Sequence, residues 1–187
     1  MRIDEALLDD VVRSGGAVLR LYRWDPPTLS VGRNQPITFS GVPVVRRPTG
    51  GQAVWHEHEV TYAVAAPIAL YGSLRNAYCQ IHTRIAAALR TLRVDATLAP
   101  AVRGSGRPAA CFASPAGGEI LVNGKKLVGS AQVRRRDAFL QHGSILLDGS
   151  QQIVSPDSRD TTLRAVLGRP VAFEEVAEAV IASVAAG

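Results

Sequence analysis

Hydrophobic and polar positions along this 187-residue chain follow two distinct periods. Apolar residues recur at helical spacing over 3–11, 73–92 and 173–184, and Ser73 is a typical N-cap residue for the second of these helices. Between the helices, strand-like apolar runs occupy 17–24, 28–32, 43–47, 53–65, 94–99, 119–132 and 138–147. This order favours an α/β or α+β fold in which one sheet is covered by helices. The length predicts a single domain over 1–187.

The run 119–132 contains a strong turn signal. Asn123-Gly124 suits a two-residue hairpin loop, because both positions can adopt positive φ. Alternation along the strand that follows predicts one face with three members: Lys126, Val128 and Ser130. A second turn at 135–137 would complete a three-stranded meander, with Lys126 within it and His142 on its last strand.

Composition and charge describe an ordinary globular protein, 47% hydrophobic and 20% charged. The acidic first helix lacks the features of a secretion signal, and no run approaches the roughly 20 apolar residues that span a bilayer. We therefore expect a cytoplasmic protein with reduced thiols and no membrane contact. The net charge of +5 fits an anionic partner of several kinds. Only 5% of residues are aromatic and no long basic helix occurs, which argues against nucleic acid.

Arginine dominates the basic residues, because only Lys125 and Lys126 are lysines among the 21 lysines and arginines. A compact amine places a point charge in a tight cleft, whereas guanidinium is a broad planar fork. Lys126 is therefore a candidate functional residue, and Lys125 is expected to be a solvent-facing hairpin residue.

The segment RRPTGGQAV, residues 46–54, puts Gly50 and Gly51 between two strands. Glycines allow a close approach of the backbone to a ligand, although a tight turn explains the pair equally well. The segment is not a phosphate-binding P-loop, since the required pattern and the following helix are missing.

Two histidines in HEHE, His56 and His58, would point to one face of a strand. The sequence offers no further ligands at suitable spacing, so we expect no metal site, a pocket-lining His56 and a solvated His58. Cys79 falls within the second helix, where we expect a small buried residue.

Cys111 differs from Cys79, because it follows a glycine-rich segment and precedes the hairpin with both lysines. A thiol near a lysine has its thiolate stabilised, which makes Cys111 a candidate nucleophile. The preceding segment 101–110 is either a lid over a bound group or a plain surface connection.

Three motifs carry a family resemblance: RRPTGGQAVWHEHEVTYAV, CFASPAGGEILVNGKKLVGSAQVRR and FLQHGSILL. Together with IDEALL and LRLYRWDPPTLSVGRNQ, they resemble the lipoate and octanoate transferase and ligase family, which is related to biotin ligases. The similarity runs from about residue 3 to 148 and is greatest to the cysteine-dependent octanoyltransferases.

The resemblance implies the catalytic-core fold of that family, a mixed, mainly antiparallel sheet flanked by helices. It implies transfer of an octanoyl or lipoyl group from acyl carrier protein to one lysine of a lipoyl domain or of the glycine-cleavage H protein, without a cofactor. By position, Cys111 matches the acyl-accepting cysteine and Lys126 the active-site lysine. The acyl pocket would be lined by Arg47, Gly50, Gly51 and His56.

Physical chemistry adds further candidates beside that thioester. The backbone of Gly129, Ser130 and Ala131 could donate N–H groups to the developing oxyanion. His142 could assist proton transfer from the incoming amine or simply line the pocket. The cluster 134–136 of three arginines is either a docking patch for acidic carrier proteins or a set of solvated turn charges.

Alternatives remain open at the level of sequence. Amidotransfer of octanoyl between carrier proteins is chemically close and also depends on a cysteine. Two further alternatives differ more. One is an ATP-dependent lipoate-protein ligase that forms a lipoyl-adenylate and needs ATP and Mg²⁺. The chain has Cys-Phe where the ligases resemble one another in a cysteine-free motif, and it ends about 40 residues after the last motif, where full-length ligases usually append an accessory domain. The other alternative is a protein that binds lipoyl domains without turnover.

Overall fold

The computed structural model describes residues 1–100 and 118–185. Its helices are α1 (Arg2–Ser14), α2 (Leu74–Thr91), α3 (Leu163–Leu167) and α4 (Phe173–Ala185). The strands are β1 (Val18–Tyr22), β2 (Thr28–Val31), β3 (Val44–Arg46), β4 (Val54–His56), β5 (Glu59–Pro67), β6 (Thr97–Leu98), β7 (Ile120–Val122), β8 (Lys125–Arg135) and β9 (Ala138–Leu146). Each predicted helix and strand run is present, and Ser73 caps α2 by accepting a hydrogen bond from the backbone N–H of Asn76.

The strands form two sheets. The larger is antiparallel in the order β1-β5-β9-β8-β7-β6, and the smaller has the order β3-β2-β4, with β2 and β3 parallel. The prediction of a mixed, mainly antiparallel sheet flanked by helices is confirmed.

The larger sheet is covered on both faces. On one face, the main apolar core packs β5, β8 and β9 against α2 and α4, through residues such as Tyr62, Leu89 and Val180. On the other face, α1 packs Leu8 and Val11 against β5 and β9. Burial of these aliphatic side chains is the main source of stability in such an assembly.

The prediction that Cys79 is buried is wrong, because its side chain is exposed. The buried stripe of α2 includes Ala77, Ile81 and Ile85. Successive helical residues are turned by about 100°, so Cys79 lies about 200° from both Ala77 and Ile81 and faces away from the core.

The two hairpins of the meander are confirmed. Asn123 and Gly124 have φ of 51° and 73°, the positive values that a two-residue loop of this type requires. The register between β7 and β8 shifts by one residue, however, since Ile120 pairs with Val128 and Leu121 with Lys126.

This β-bulge corrects the predicted facing of Lys126. Paired residues of an antiparallel sheet share a face, and consecutive residues of β7 alternate, so Lys126 lies on the face opposite Val128. Leu127 and Val128 both belong to the main core. The extra residue thereby turns the lysine toward the face that also carries the pocket described below.

Among the described residues, no helix is both long and apolar enough to cross a membrane.

Candidate active site

A pocket lies where β8 and β9 meet the small sheet on the α1 side of the molecule. Its walls are formed by Met1, Arg47, Val54, His56, Thr61, Gly129, Ser130, Ala131, His142, Gly143 and Ser144. Six residues that the sequence singled out are thus brought together: Arg47, His56, Gly129, Ser130, Ala131 and His142. Register explains the convergence, because Gly129 pairs with Ser144 and Ala131 with His142.

One of the lining residues, Gly143, is constrained by packing on the opposite face of the sheet. Gly143 lies in the middle of β9, and a Cβ at this position would overlap the Ser130 hydroxyl and approach the Tyr62 ring to 2.8 Å. Glycine inside a strand often marks a place where a ligand or another group must come close. The close packing of β9 against Ser130 and Tyr62, behind the pocket, therefore requires glycine at 143.

His56 is held in a chain of buried hydrogen bonds. Its Nδ1 lies 2.7 Å from Glu59 Oε1, and its Nε2 lies 2.5 Å from the Ser30 hydroxyl. Arg47 donates to that hydroxyl at 2.7 Å. A carboxylate accepts, so the network assigns Nδ1–H to the bond with Glu59 and leaves Nε2 to accept from Ser30. Both nitrogens are occupied, which fixes the orientation of His56 in the pocket wall.

An aromatic ring reinforces that wall. Trp24 stacks on His56 with ring centroids 4.4 Å apart and an interplanar angle of 16°. Its indole N–H donates to the Thr61 hydroxyl at 2.8 Å. The orientation of His56 is therefore set by packing as well as by hydrogen bonds.

Arg47 shapes the glycine loop. Its Nη2 donates to the carbonyls of Gly50 at 3.1 Å and Gln52 at 2.7 Å. Gly51 has φ of 93°, which favours glycine, and both glycines are exposed. Gly50 and Gly51 are not among the residues that line the pocket, so the structure gives them a part in the loop that Arg47 organises.

A neighbouring glycine provides a test of this loop. A Cβ at Gly32 would overlap the Gly51 carbonyl oxygen, whereas a Cβ at Gly50 meets nothing within 4 Å. We expect Gly32→Ala to lower the free energy of unfolding by about 1–3 kcal/mol, the usual cost of overpacking. In urea denaturation, Gly50→Ala should change it by less than about 0.5 kcal/mol, as surface substitutions do. Equal stability of the two variants would contradict the close packing described here.

His142 is held differently from His56. Its Nε2 lies 2.6 Å from the Thr49 hydroxyl, and its Nδ1 lies 3.6 Å from Asp4 Oδ2 on α1. At that distance Nδ1 makes no hydrogen bond, and the atom is fully buried. Burial lowers the pKa of His142 below its usual value, although Asp4 opposes this effect.

Asp4 is itself a buried carboxylate with two strong partners. Arg20 donates to Oδ1 at 2.5 Å, and the Tyr22 hydroxyl donates to Oδ2 at 2.9 Å. Burial alone would raise the pKa of Asp4, but His142 and these hydrogen bonds outweigh it and lower the pKa. Asp4 is therefore ionised at neutral pH.

Ser130 contributes to the pocket through its backbone. Its hydroxyl is directed to the helical face of the sheet, 2.6 Å from the Tyr62 hydroxyl and 2.8 Å from His82 Nε2. Burial lowers the pKa of His82 to about 4, and its Nδ1 lies 2.6 Å from the Gly118 carbonyl. His82 is thus a neutral, structural histidine that holds β8 against α2.

The edge of β8 that faces away from β9 determines whether backbone N–H groups of Gly129, Ser130 and Ala131 could act as oxyanion donors. Beyond Val128, the described residues include no partner strand on the edge of β8 away from β9. Backbone groups of an antiparallel strand point alternately to its two edges, so every second N–H from 129 onward points away from β9. This geometry is compatible with oxyanion donors, which remain a prediction.

Lys126 is not among the residues that line this pocket. The lysine is 2% exposed, and its Nζ lies 2.5 Å from Glu119 Oε1, which is also buried. Its backbone is fixed by the segment after β9, through hydrogen bonds with Arg159 and Thr161. Lys125 is exposed. Cys111 and the segment 101–110 lie outside the described residues, so the predicted thiol and ammonium pair is not tested.

The remaining predicted residues, His58 and the arginines at 134–136, lie at the surface or pair there. His58 is exposed, and the described parts of the chain contain no cluster of three His, Cys, Asp or Glu residues suited to a metal. In the arginine cluster 134–136, Arg134 and Arg136 are exposed and Arg135 pairs with Asp9.

Sequence reasoning missed several residues of the site: Asp4, Ser30, Thr49, Glu59 and His82. A signal existed for Asp4, because it falls on the same helical stripe as Leu8 and Val11. A charged residue within an apolar stripe must have a buried partner.

The arrangement of sheet and helices is the fold of lipoate ligase catalytic domains. The chain is similar in fold to the bi-partite lipoate protein ligase studied with its E2 lipoyl domain from Thermoplasma acidophilum. The TM-score is 0.69 at 19% identity, over 98% of this chain and 77% of the other.

Sequence comparison makes the assignment specific. The lipoyl protein ligase A/B catalytic domain matches residues 1–185, and the chain belongs to that family. It is 42% identical over 160 residues to octanoyltransferase LipM of Carboxydothermus hydrogenoformans, covering 79% of this chain and 60% of the relative. It is 41% identical over 217 residues to octanoyltransferase LipM of Kyrpidia tusciae, covering 96% and 78%. The chain therefore spans less than two thirds of the first of these relatives.

Proposed function

We propose that this chain is an acyltransferase that moves an octanoyl group from acyl carrier protein to one lysine of a lipoyl domain or of the glycine-cleavage H protein. The observation that carries the proposal is the similarity to two proteins named octanoyltransferase, at 42% and 41% identity. The pocket supports it, because small and aliphatic residues such as Val54, Ala131 and Gly143 offer a surface for a fatty chain.

The proposed reaction has two steps. The Cys111 thiolate attacks the carrier thioester, a new C–S bond forms, the old one breaks, and the carrier thiolate leaves and takes up a proton. The substrate amine then attacks the acyl-cysteine, a C–N bond forms, the Cys111 thiolate leaves, and the amine loses a proton. No nucleotide is consumed, because the thioester already carries an activated acyl group.

Charge and proton transfer are assigned to two residues. The Lys126 ammonium favours the thiolate over the thiol and stabilises negative charge on the carbonyl oxygen. His142 accepts the proton from the attacking amine through the Thr49 hydroxyl, which lies 2.6 Å from its Nε2. The net charge of +5 supports encounter with acidic carrier domains. We assign the reaction to the cytoplasm, where thiols stay reduced.

The choice of acyl donor tests this proposal. Purified protein and a lipoyl domain are incubated either with octanoyl-acyl carrier protein alone or with free octanoate or lipoate, ATP and Mg²⁺. We expect the lipoyl domain to gain an octanoyl group in the first mixture, as measured by intact-protein mass spectrometry.

The other outcomes identify the alternatives. Transfer that needs ATP and a free acid would indicate a lipoate-protein ligase, a reading that the fold of the Thermoplasma acidophilum protein favours. Binding of the lipoyl domain without modification in either mixture would indicate a non-catalytic protein. Each of these results would contradict the transferase proposal.

A further inference from the structure

Two hydroxyl–histidine–carboxylate chains converge on the pocket, and they differ at one atom. Ser30, His56 and Glu59 are joined by bonds of 2.5 and 2.7 Å. In the chain of Thr49, His142 and Asp4, the Thr49 bond is 2.6 Å, but Nδ1 of His142 has no hydrogen-bond partner. That atom is 3.6 Å from a carboxylate that is itself completely buried.

The carboxylate determines which nitrogen of His142 carries the proton. With the proton on Nε2, a bare Nδ1 lone pair would face the Asp4 anion across 3.6 Å. With the proton on Nδ1, the N–H faces the anion, and Nε2 accepts from the Thr49 hydroxyl. The second arrangement is electrostatically favourable, because it places a positive end toward Asp4.

The groups around His142 come from four elements and from the loop after β3. Asp4 on α1 raises the proton affinity of the ring, whereas Arg47, next to β3, and His56, on β4, lower it. Its neighbours across the sheet, Ala63 on β5 and Ala131 on β8, carry no charge. Of the three side chains that change the proton affinity of His142, only Asp4 is negatively charged.

We propose that Asp4 is a positioning residue that holds His142 as its Nδ1–H tautomer and balances the charge when His142 takes up a proton. The role in catalysis rests on the proposed acyl transfer. As the C–N bond forms and the C–S bond breaks, the Thr49 hydroxyl takes up the amine proton and passes its own proton to Nε2 of His142. The Thr49 hydroxyl turns from donor to acceptor, and Asp4 becomes the counter-ion of the imidazolium. The N-terminal helix thereby supplies a part of the active site.

Nuclear magnetic resonance of ¹⁵N-labelled histidine tests the tautomer without any catalytic assay. The ¹⁵N shifts of the unsubstituted protein should identify His142 as Nδ1–H at neutral pH. An Nε2–H tautomer would overturn the proposal. This measurement needs no variant, so it does not depend on whether a substituted protein folds.

The Asp4→Asn variant tests the charge. An opposite charge within about 4–6 Å commonly changes a pKa by 1–3, so the pKa of His142 should fall by at least about 1 in this variant. Asp9→Asn is the matched control, because Asp9 lies on the same helix and is exposed. A pKa of His142 that moves equally in both variants, or in neither, would overturn the proposal.

Kinetics separate positioning from simple stabilisation. A base must be neutral to accept the proton, so transfer should rise with pH through the pKa of His142. In Asp4→Asn this rise should move to lower pH and the plateau rate should fall about tenfold or more. A lower plateau without movement of the pH profile would reject the positioning role. If the tautomer and pKa behave as described but no donor gives transfer, the proposed function alone fails.

Discussion

Replacing Cys111 with alanine is expected to lower octanoyl transfer from acyl carrier protein by about 1,000-fold or more. The proposed route passes through a thioester on this sulfur, and enzymes that lose a covalent nucleophile retain only the contribution of binding and electrostatics. Initial rates of lipoyl-domain modification, followed by mass spectrometry, give the comparison.

The chain offers a matched control for this change. Cys79 is a second thiol, exposed on α2 and outside the pocket. Cys79→Ala should transfer octanoyl at the normal rate. Loss of activity in Cys79→Ala together with normal activity in Cys111→Ala would reject the assignment of the nucleophile.

Replacing Lys126 with methionine is expected to lower the free energy of unfolding by about 3–5 kcal/mol, because it removes one partner of a buried ion pair. The Glu119 carboxylate would stay in the interior without the ammonium that now lies 2.5 Å from it. Thermal and urea denaturation would measure the change. Lys125→Met, on the exposed neighbour, should leave stability and transfer unchanged.

A double variant separates stability from catalysis at this position. Replacing both charges, with Lys126→Met and Glu119→Gln, should recover most of the lost stability, since paired apolar or neutral replacements of buried ions are often tolerated. Transfer should remain at least about 100-fold below normal, because the ammonium is still missing. Lys126→Arg should also lose most activity, since a guanidinium is broader than an amine. Normal transfer in the double variant would show that Lys126 is structural.

Most of the fold could be predicted from the sequence, because its signals are local. Asn123-Gly124 and the turn after Arg135 define the meander, and the helical stripes define α1, α2 and α4. The β-bulge at Leu127 could not be predicted, since alternation assumes an unbroken register. The helix α3 was also missed, because five residues are too short to show a period.

The sequence predicted those residues of the site that belong to recognisable motifs. The family resemblance led to Arg47 and His56, and the search for oxyanion donors and a base led to Gly129, Ser130, Ala131 and His142. All six line one pocket. Thr49 and Glu59 looked ordinary within strands and loops, since their roles arise from partners distant in sequence, such as the 93 positions between Thr49 and His142. Long-range partners of this kind depend on the tertiary fold.

The central claim, an acyl group carried on Cys111, is tested most directly by intact-protein mass spectrometry followed by peptide mapping. The protein is mixed with octanoyl-acyl carrier protein, without ATP and without a lipoyl domain. The account predicts a mass increase of one octanoyl group on the peptide that contains Cys111, and no increase in Cys111→Ser. An unmodified protein, or an adduct that persists in Cys111→Ser, would contradict it.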